Sequence, residues 1–324
     1  MINIVISDNE AGQRTDRFLR KYLGGAPLSA IYRIIRKDLK VNGRRVHEDT
    51  PLAAGDELTL YLTEEQLRSY RKPAKRRPAA KKQFRVIYED AQVLIVSKPS
   101  GLLVHGDKTE KSNTLINQVC GYLQEKGEYD PGRERTFTPA PANRIDRNTS
   151  GLVIFGKTAP ALRELTKLIR QRDGIRKFYR AIAAGQITEE MILTDALRKD
   201  ADTNQVSVAQ ESDGGQTSET RIRPIHIGKR FSLVEAELIT GRTHQIRVHL
   251  AKAGHPLAGD PKYGDPQVNA ICRKYNVSSQ LLHAYRLQFG ELDQPLQELS
   301  NKTIEAQPPG AFAKAAEDLI DESI

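Results

Sequence analysis

Asp146 stands between Arg144 and Arg147 in the stretch Asn143-Arg144-Ile145-Asp146-Arg147-Asn148-Thr149-Ser150-Gly151, just ahead of the apolar run Leu152-Val153-Ile154-Phe155. Opposite charge close by lowers a carboxyl pKa, so two neighbouring guanidiniums favour the ionised form of Asp146. A carboxylate held ionised in a basic setting suits a nucleophile or an electrostatic stabiliser better than a proton donor. The competing assignment is structural: an Asp shortly ahead of Thr and Ser, at the mouth of a strand, commonly bonds its own backbone and forms a turn. The stretch alone leaves both open.

A second group of reactive side chains lies in Thr240-Gly241-Arg242-Thr243-His244-Gln245-Ile246-Arg247-Val248-His249-Leu250. His244 and His249 are five positions apart and do not share a helix face, which disfavours a zinc pair. Arg247 follows His244 by three, so on a helix the two can point together toward a buried anion; a surface charge is the plain alternative. Tyr179 belongs to an alternating run over 176–187 and shares a face with Lys177. A lone tyrosine there is as readily core as catalytic. Neither a phosphate-binding Gly-Lys-Ser loop nor a dinucleotide fingerprint is present.

The elements that must position these groups are bounded first by composition. The chain has 324 residues, 38% of them hydrophobic, enough for two domains or for one with an appendage. The absence of a long apolar run excludes a membrane-spanning helix. Met1 to Asp8 carries no basic n-region, so no signal peptide is expected. Cys120 and Cys272, without paired spacing, argue against a disulfide scaffold or thiolate zinc site and fit a reducing cytoplasm. Net charge is +9 with a pI near 9.4. Between Arg68 and Arg85 nine basic residues occur and no acid, a charge equal to the excess of the whole chain. Such asymmetry points to a polyanion, most often nucleic acid.

Residues 12–67 are expected to form a small αα-β module. Phe18, Leu19, Tyr22 and Leu23 recur at helical spacing, and Ile31, Ile34 and Ile35 do so in a second helix after Pro27. Leu39 to Val46 reads as a hairpin about Asn42-Gly43, and 54–62 as a closing strand. Arg17, Arg33, Arg36, Lys37, Lys40, Arg44 and Arg45 then make a basic face fit to grip a phosphate backbone. From 63 the chain turns polar, and 68–83 is expected to be a flexible basic linker contributing Arg71, Lys72, Lys75, Arg76, Arg77, Lys81 and Lys82 to the same contact. From 84 to 300 strands dominate: 86–90, 93–98, 151–157, 176–187, 217–227 and 231–239, with an amphipathic helix over 159–172. The expectation is an α+β fold, a mixed and mostly antiparallel sheet with helices against it. The tail 301–324 holds five acids against two lysines and reads as a loose amphipathic helix.

The Asp146 stretch resembles the signature loop of the RluA/RluC-type pseudouridine synthases, His-Arg-Leu-Asp-x-x-Thr-Ser-Gly, with Asn143 and Ile145 as the departures. Three further segments match that family in order: 89–105, running through Lys98-Pro99-Ser100-Gly101; Arg176-Lys177-Phe178-Tyr179; and the 240–250 stretch followed by Gly254-His255-Pro256 and Gly259-Asp260-x-x-Tyr263-Gly264. The run Gly12 to Leu19, with Ser29 to Arg36, Val41-Asn42-Gly43 and Gly55-Asp56, is similar to the S-four type RNA-binding domain. The resemblance implies a pseudouridine synthase fold and a catalytic set of Asp146, Tyr179 and Arg247. In that set Asp146 is the nucleophile, Arg247 its partner, and Tyr179 the base platform and a proton acceptor. It further implies that Arg144 fills the stack vacated by a flipped base, with Thr149, Arg242, His244 and Gln245 as substrate contacts. No metal and no small-molecule cofactor is expected. The partner is expected to be ribosomal RNA of the large subunit, the enzyme a cytoplasmic monomer; a tRNA-directed relative and a non-catalytic ribosome-associated RNA binder are the alternatives.

Overall fold

The structure, a computed structural model, describes residues 1–71, 81–132, 134–200, 203 and 205–321. The N-terminal module comprises β1 (Ile2–Val5), α1 (Thr15–Leu23), α2 (Leu28–Lys37), β2 (Leu39–Val41), β3 (Glu57–Leu60) and α3 (Glu64–Tyr70). Phe18, Leu19 and Leu23 of α1 and Ile31, Ile34 and Ile35 of α2 are buried together against Leu39, Leu58 and Leu60. The helix faces read from the sequence are therefore the core faces. The strands form a three-stranded sheet in the order β1-β3-β2.

Three boundaries differ from expectation. The module begins at Ile2 rather than residue 12, because Ile2 and Ile4 pack on its core and β1 pairs antiparallel with β3. Asn42 and Gly43 do make a tight turn, at φ 52° and 77°, but its second arm ends at Arg44 and β2 pairs with β3 instead. The linker is shorter than 68–83. Thr63 and Gln66 form a reciprocal cap on α3, Leu67 is buried, and Arg71 stacks 4.9 Å over the Tyr22 ring. At the other end Gln83 exchanges two 2.8 Å bonds with the Gln118 amide. Lys72, Lys75, Arg76 and Arg77 lie outside the described residues.

The larger domain contains β4 (Arg85–Glu89), β5 (Val93–Lys98), α4 (Leu115–Glu125), β6 (Ala140–Pro141), β7 (Ser150–Gly156), α5 (Ala159–Gln171), β8 (Ile175–Ala184), β9 (Met191–Lys199), β10 (Val206–Val208), β11 (Gln216–Ile227), β12 (Phe231–Leu238), α6 (Gln245–Lys252), α7 (Pro266–Lys274), β13 (Leu282–Phe289), β14 (Thr303–Glu305) and α8 (Gly310–Asp321). Among the described residues the strands form one sheet in the order β10-β9-β11-β12-β8-β13-β7-β5-β4, with β14 beside β13 and β6 beside β7. Every pairing is antiparallel except β13 with β7, so the mixed, mostly antiparallel sheet is found. Every residue of β5 and β7 is buried, as expected of central strands covered on both faces. The acidic tail is no loose appendage. β14 adds to the sheet, and α8 buries Phe312, Ala315, Leu319 and Ile320 against Ile182 and Phe231. The domain thus extends past residue 300.

The two units touch through polar contacts. Asn9 Oδ1 accepts the Ala159 N–H at the start of α5 at 2.8 Å, Thr136 Oγ1 donates to Glu10 at 2.9 Å, and Lys21 Nζ donates to the Thr136 carbonyl at 3.0 Å.

Candidate active site

The parallel pairing of β7 with β13 brings two loops to the same end of the sheet, one entering β7 and one entering β13. Its register, His283 with Ser150 and Ala284 with Gly151, demands glycine at 151. There φ is 115° and a Cβ would lie 2.1 Å from the Ala284 carbonyl oxygen. The loop before β7 is then tied at several points. Asn143 Oδ1 accepts the Ile154 N–H at 2.8 Å, Ile145 is buried in the core, and Ser100 Oγ donates to the Asn148 carbonyl at 2.8 Å. Lys98, buried, donates to the carbonyls of Pro99, Leu102 and Arg147 at 2.7–2.9 Å. Burial draws the Lys98 pKa down to about 7 while the Asp146 charge holds it up. Three carbonyl acceptors need three N–H donors, which only the ammonium has.

Asp146 is the residue this frame leaves facing the cleft. Its partner is Arg247, whose Nη1 donates to Asp146 Oδ2 at 2.9 Å. The flanking arginines do not perform the role their sequence position suggested. Arg147 turns away to Asp107, 3.0 Å, and Thr109, 3.2 Å. Arg144 is exposed at the cleft rim, where it can enter a substrate. The cationic partner of Asp146 therefore comes from a distant helix, as the resemblance implied, and not from the adjacent residues.

Arg247 lies in the first turn of α6, and the loop before it is braced by Gln245. That side chain accepts from Thr240 Oγ1 and the Arg242 N–H, and donates to the Glu219 carbonyl and Thr220 Oγ1, at 2.6–3.0 Å. With both amide atoms committed, Gln245 holds the loop in place at the cleft wall. His244 enters α6 at φ 53°. Its Nδ1 is 2.8 Å from the Tyr263 hydroxyl, and that hydroxyl also accepts the Val206 N–H at 2.9 Å. The other ring nitrogen, Nε2, lies 3.9 Å from Asp146 Oδ2. Burial pulls the His244 pKa down to about 4 against the opposing effect of Asp146, so the ring is neutral at pH 7. His249 is a structural residue, bonded to Ser218 and Thr220 at 2.8 and 3.0 Å.

Tyr179, nearly fully buried on β8, closes the cleft floor. Burial, and then the Asp146 charge, push its pKa well above the usual phenol range, so it rests as the neutral phenol. Leu238, Ile246 and Leu282 supply apolar wall, and Thr149 and Arg242 complete a cleft of about 80 Å³. Thr149 accepts from Gln280 at 3.4 Å, and Arg242 Nε donates to the Thr217 carbonyl at 3.3 Å. All eight residues expected at the catalytic and substrate positions thus line one cleft, though Arg247 lies 101 residues beyond Asp146 in the chain. Asp260 and Tyr263 belong to a sequence motif that assigned neither of them a role. Asp260 grips Arg247 through two 2.8 Å bonds, and the Tyr263 ring lies 5.1 Å from the Arg247 guanidinium. Their spacing to Arg247 carried no signal of that contact.

Most of the basic residues expected to meet a polyanion lie on the surface. Arg17, Arg33, Arg36, Lys37, Arg44, Arg45, Lys81 and Lys82 are exposed. Lys40 is half-buried, 5.7 Å over Tyr61, and Arg71 is fastened to Tyr22, which makes it a strut of the module more than an RNA contact.

Residues 92–252 match the family model described as RNA pseudouridylate synthase. The chain is 34% identical over 312 residues to the ribosomal large subunit pseudouridine synthase C of Vibrio vulnificus, covering 93% of this chain and 95% of that protein. It is 35% identical over 259 residues to the Escherichia coli protein of the same name, covering 79% and 77%. Among solved structures, human RNA pseudouridylate synthase domain containing 4 superimposes with a TM-score of 0.57 at 20% identity, over 72% of this chain and 92% of that one. The last comparison shows a shared fold. Identity sustained along nearly the whole length, with the shared motifs meeting around one carboxylate, makes this chain a member of the RNA pseudouridylate synthase family and an isomerase.

Proposed function

We propose that the protein converts uridine to pseudouridine in large-subunit ribosomal RNA, with Asp146 as the nucleophile, acting as a cytoplasmic monomer. The observation that carries the mechanism is Asp146, directed into a small cleft and bonded to Arg247 at 2.9 Å. The substrate follows from the relatives, which are named as ribosomal large-subunit enzymes.

The reaction breaks the bond from ribose C1′ to uracil N1 and forms one from C1′ to C5. The C5 proton is lost and N1 gains one, so neither oxidant nor hydrolytic water enters the balance. Asp146 attacks either C1′ or the uracil ring and is released unchanged. Arg247 holds its carboxylate in place, and Tyr179 stacks on the base. The ring of a uridine stacked in a helix is out of reach of Asp146 in this cleft, so the uridine must leave its helix. Flipping costs a few kcal/mol, least in loops and mismatches, and Arg144 entering the vacated stack offsets part of it. The N-terminal module reads as an S-four type RNA-binding domain whose basic face holds backbone phosphates.

Asp146→Asn tests the mechanism: pseudouridine formation should disappear while RNA affinity stays within about twofold. Retained turnover removes Asp146 as the nucleophile. The substrate is tested by mapping pseudouridine with a selective chemical stop assay in rRNA and tRNA from cells with and without the gene. A signal lost only from tRNA refutes the ribosomal assignment and keeps the chemistry.

A further inference from the structure

We propose that Asp260 is a positioning residue of the reaction: it aims Arg247 at Asp146 and shares the guanidinium charge, so that Asp146 is held in place without being fully neutralised. The inference rests on the reading of Asp146 as the reacting carboxylate.

The geometry is a carboxylate–guanidinium–carboxylate line. Arg247 Nε and Nη2 each donate to Asp260 at 2.8 Å, to Oδ2 and Oδ1. This fork-to-fork pair sets the plane of the guanidinium. Nη1 is left as the donor that reaches Asp146, at 2.9 Å. Asp260 is itself immobilised. Oδ1 also accepts the N–H groups of Lys262, 2.9 Å, and Tyr263, 3.1 Å. Its carbonyl accepts from Gly264 N–H at 3.1 Å and Asn269 Nδ2 at 2.8 Å. Gly264 admits no side chain, since a Cβ would sit 2.2 Å from that carbonyl oxygen. The turn after α6 is built around this one carboxylate.

Its charge has a use beyond anchoring. Side-chain exposure is 0% for Asp260, 6% for Arg247 and 24% for Asp146. The two inner groups therefore balance each other, and the net negative charge of the three resides on the one group open to the cleft. His244 adds none, being neutral at pH 7. Without the Asp260 charge, the whole Arg247 charge would fall on Asp146. That would stabilise the ground-state carboxylate and lower its reactivity.

The test is Asp260→Asn in the full-length enzyme, an isostere that keeps an acceptor for the two backbone N–H groups and removes the charge. We expect kcat to fall about 100-fold, the scale of a roughly 1 Å misplacement, with KM for RNA within about twofold. The acid limb of the kcat–pH profile should move to lower pH, because the Arg247 charge is then no longer shared, while Lys98 and Lys262, the other cations near the cleft carboxylate, are unchanged. Loss of kcat with an unmoved acid limb would leave Asp260 only a structural role, and unchanged kcat would remove it from the reaction; either overturns the proposal. If Asp260→Asn does not fold, Asn269→Ala replaces it. Withdrawing the Asn269 bond to the Asp260 carbonyl loosens the main chain that carries the carboxylate, and a several-fold drop in kcat at constant KM is expected; unchanged kcat overturns the proposal. Asp146→Asn, assayed in parallel, separates the two readings. An inactive Asp146→Asn beside a fully active Asp260→Asn defeats this inference alone, whereas turnover by Asp146→Asn defeats the reading beneath it.

Discussion

Gly151→Ala should damage fold and activity together, because this glycine is where the sheet is joined to the loop that carries Asp146. An added Cβ would stand 2.1 Å from the Ala284 carbonyl oxygen and 2.7 Å from its carbon and nitrogen, against an ordinary contact of 3.4 Å or more. Both strands are buried main chain, so no side-chain rotamer relieves the overlap; β7 and β13 must part by about 1.3 Å, the difference between 3.4 and 2.1. Overpacking of this kind costs about 1–3 kcal/mol, and a side chain held at φ 115° adds about 1–3 kcal/mol more. The sum, about 2–6 kcal/mol, is a large part of the roughly 5–15 kcal/mol that holds a domain together. The same displacement breaks the register that carries the 2.8 Å Ser150 to His283 bond and shifts the loop bearing Asp146. Chemical denaturation and single-turnover pseudouridine formation measure the two effects. Gly121→Ala is the control: it lies inside α4, a Cβ there meets nothing within 4 Å, and the substitution should be neutral or stabilise by up to about 1 kcal/mol. Native stability and turnover in Gly151→Ala would refute the claim that the strand contact positions the site.

Two further outcomes follow from the charges. His244 has a folded pKa of about 4 against an ordinary 6.5, so between those values the unfolded chain binds more protons; stability should be complete above pH 6.5 and fall toward pH 4, by at most one proton's worth of slope, and pH-dependent denaturation of His244→Asn should lack that component. Replacing Arg36 and Lys37 with Gln should weaken RNA binding and reduce the slope of log K against log salt by about 0.7–0.9 for each phosphate no longer neutralised, measured by salt titration; an unchanged slope removes that face from the RNA interface.

Chemistry was more legible in the sequence than topology. Asp146 and Arg247 sit in motifs that name their partner types, and helical and strand periodicity located α1, α2, α5, β7, β8, β11 and β12. What periodicity cannot supply is the partner of an element. Ile2 and Ile4 alternate as a strand should, yet β3 pairs with them from more than fifty residues away. Phe312, Ala315 and Leu319 make an apolar stripe, but only the sheet shows that β12 receives it. The same limit applies to side chains. Gln245 lies in a motif at the cleft, and its position does not reveal that its amide faces backbone. Asp260 is thirteen residues beyond Arg247 and becomes intelligible only as the other half of a fork.

The two departures from the family loop illustrate which positions carry the chemistry. At 143 the fold asks for one acceptor, for the Ile154 N–H at 2.8 Å, and one donor, toward the Leu152 carbonyl at 3.4 Å. The amide of Asn143 offers both, and a neutral imidazole has one of each as well, so Asn for His preserves the bonding that closes the loop. At 145 the requirement is apolar volume, since Ile145 is buried in the core beside Phe155 and Tyr179. Exchanging Leu for Ile there preserves volume and costs less than about 1.5 kcal/mol. Arg144 and Asp146, which alternate with them, line the cleft beside Ile145, and these two match the family pattern. Along this loop Asn143 and Ile145 answer to backbone bonding and apolar volume, while Arg144 and Asp146 supply the charges at the cleft.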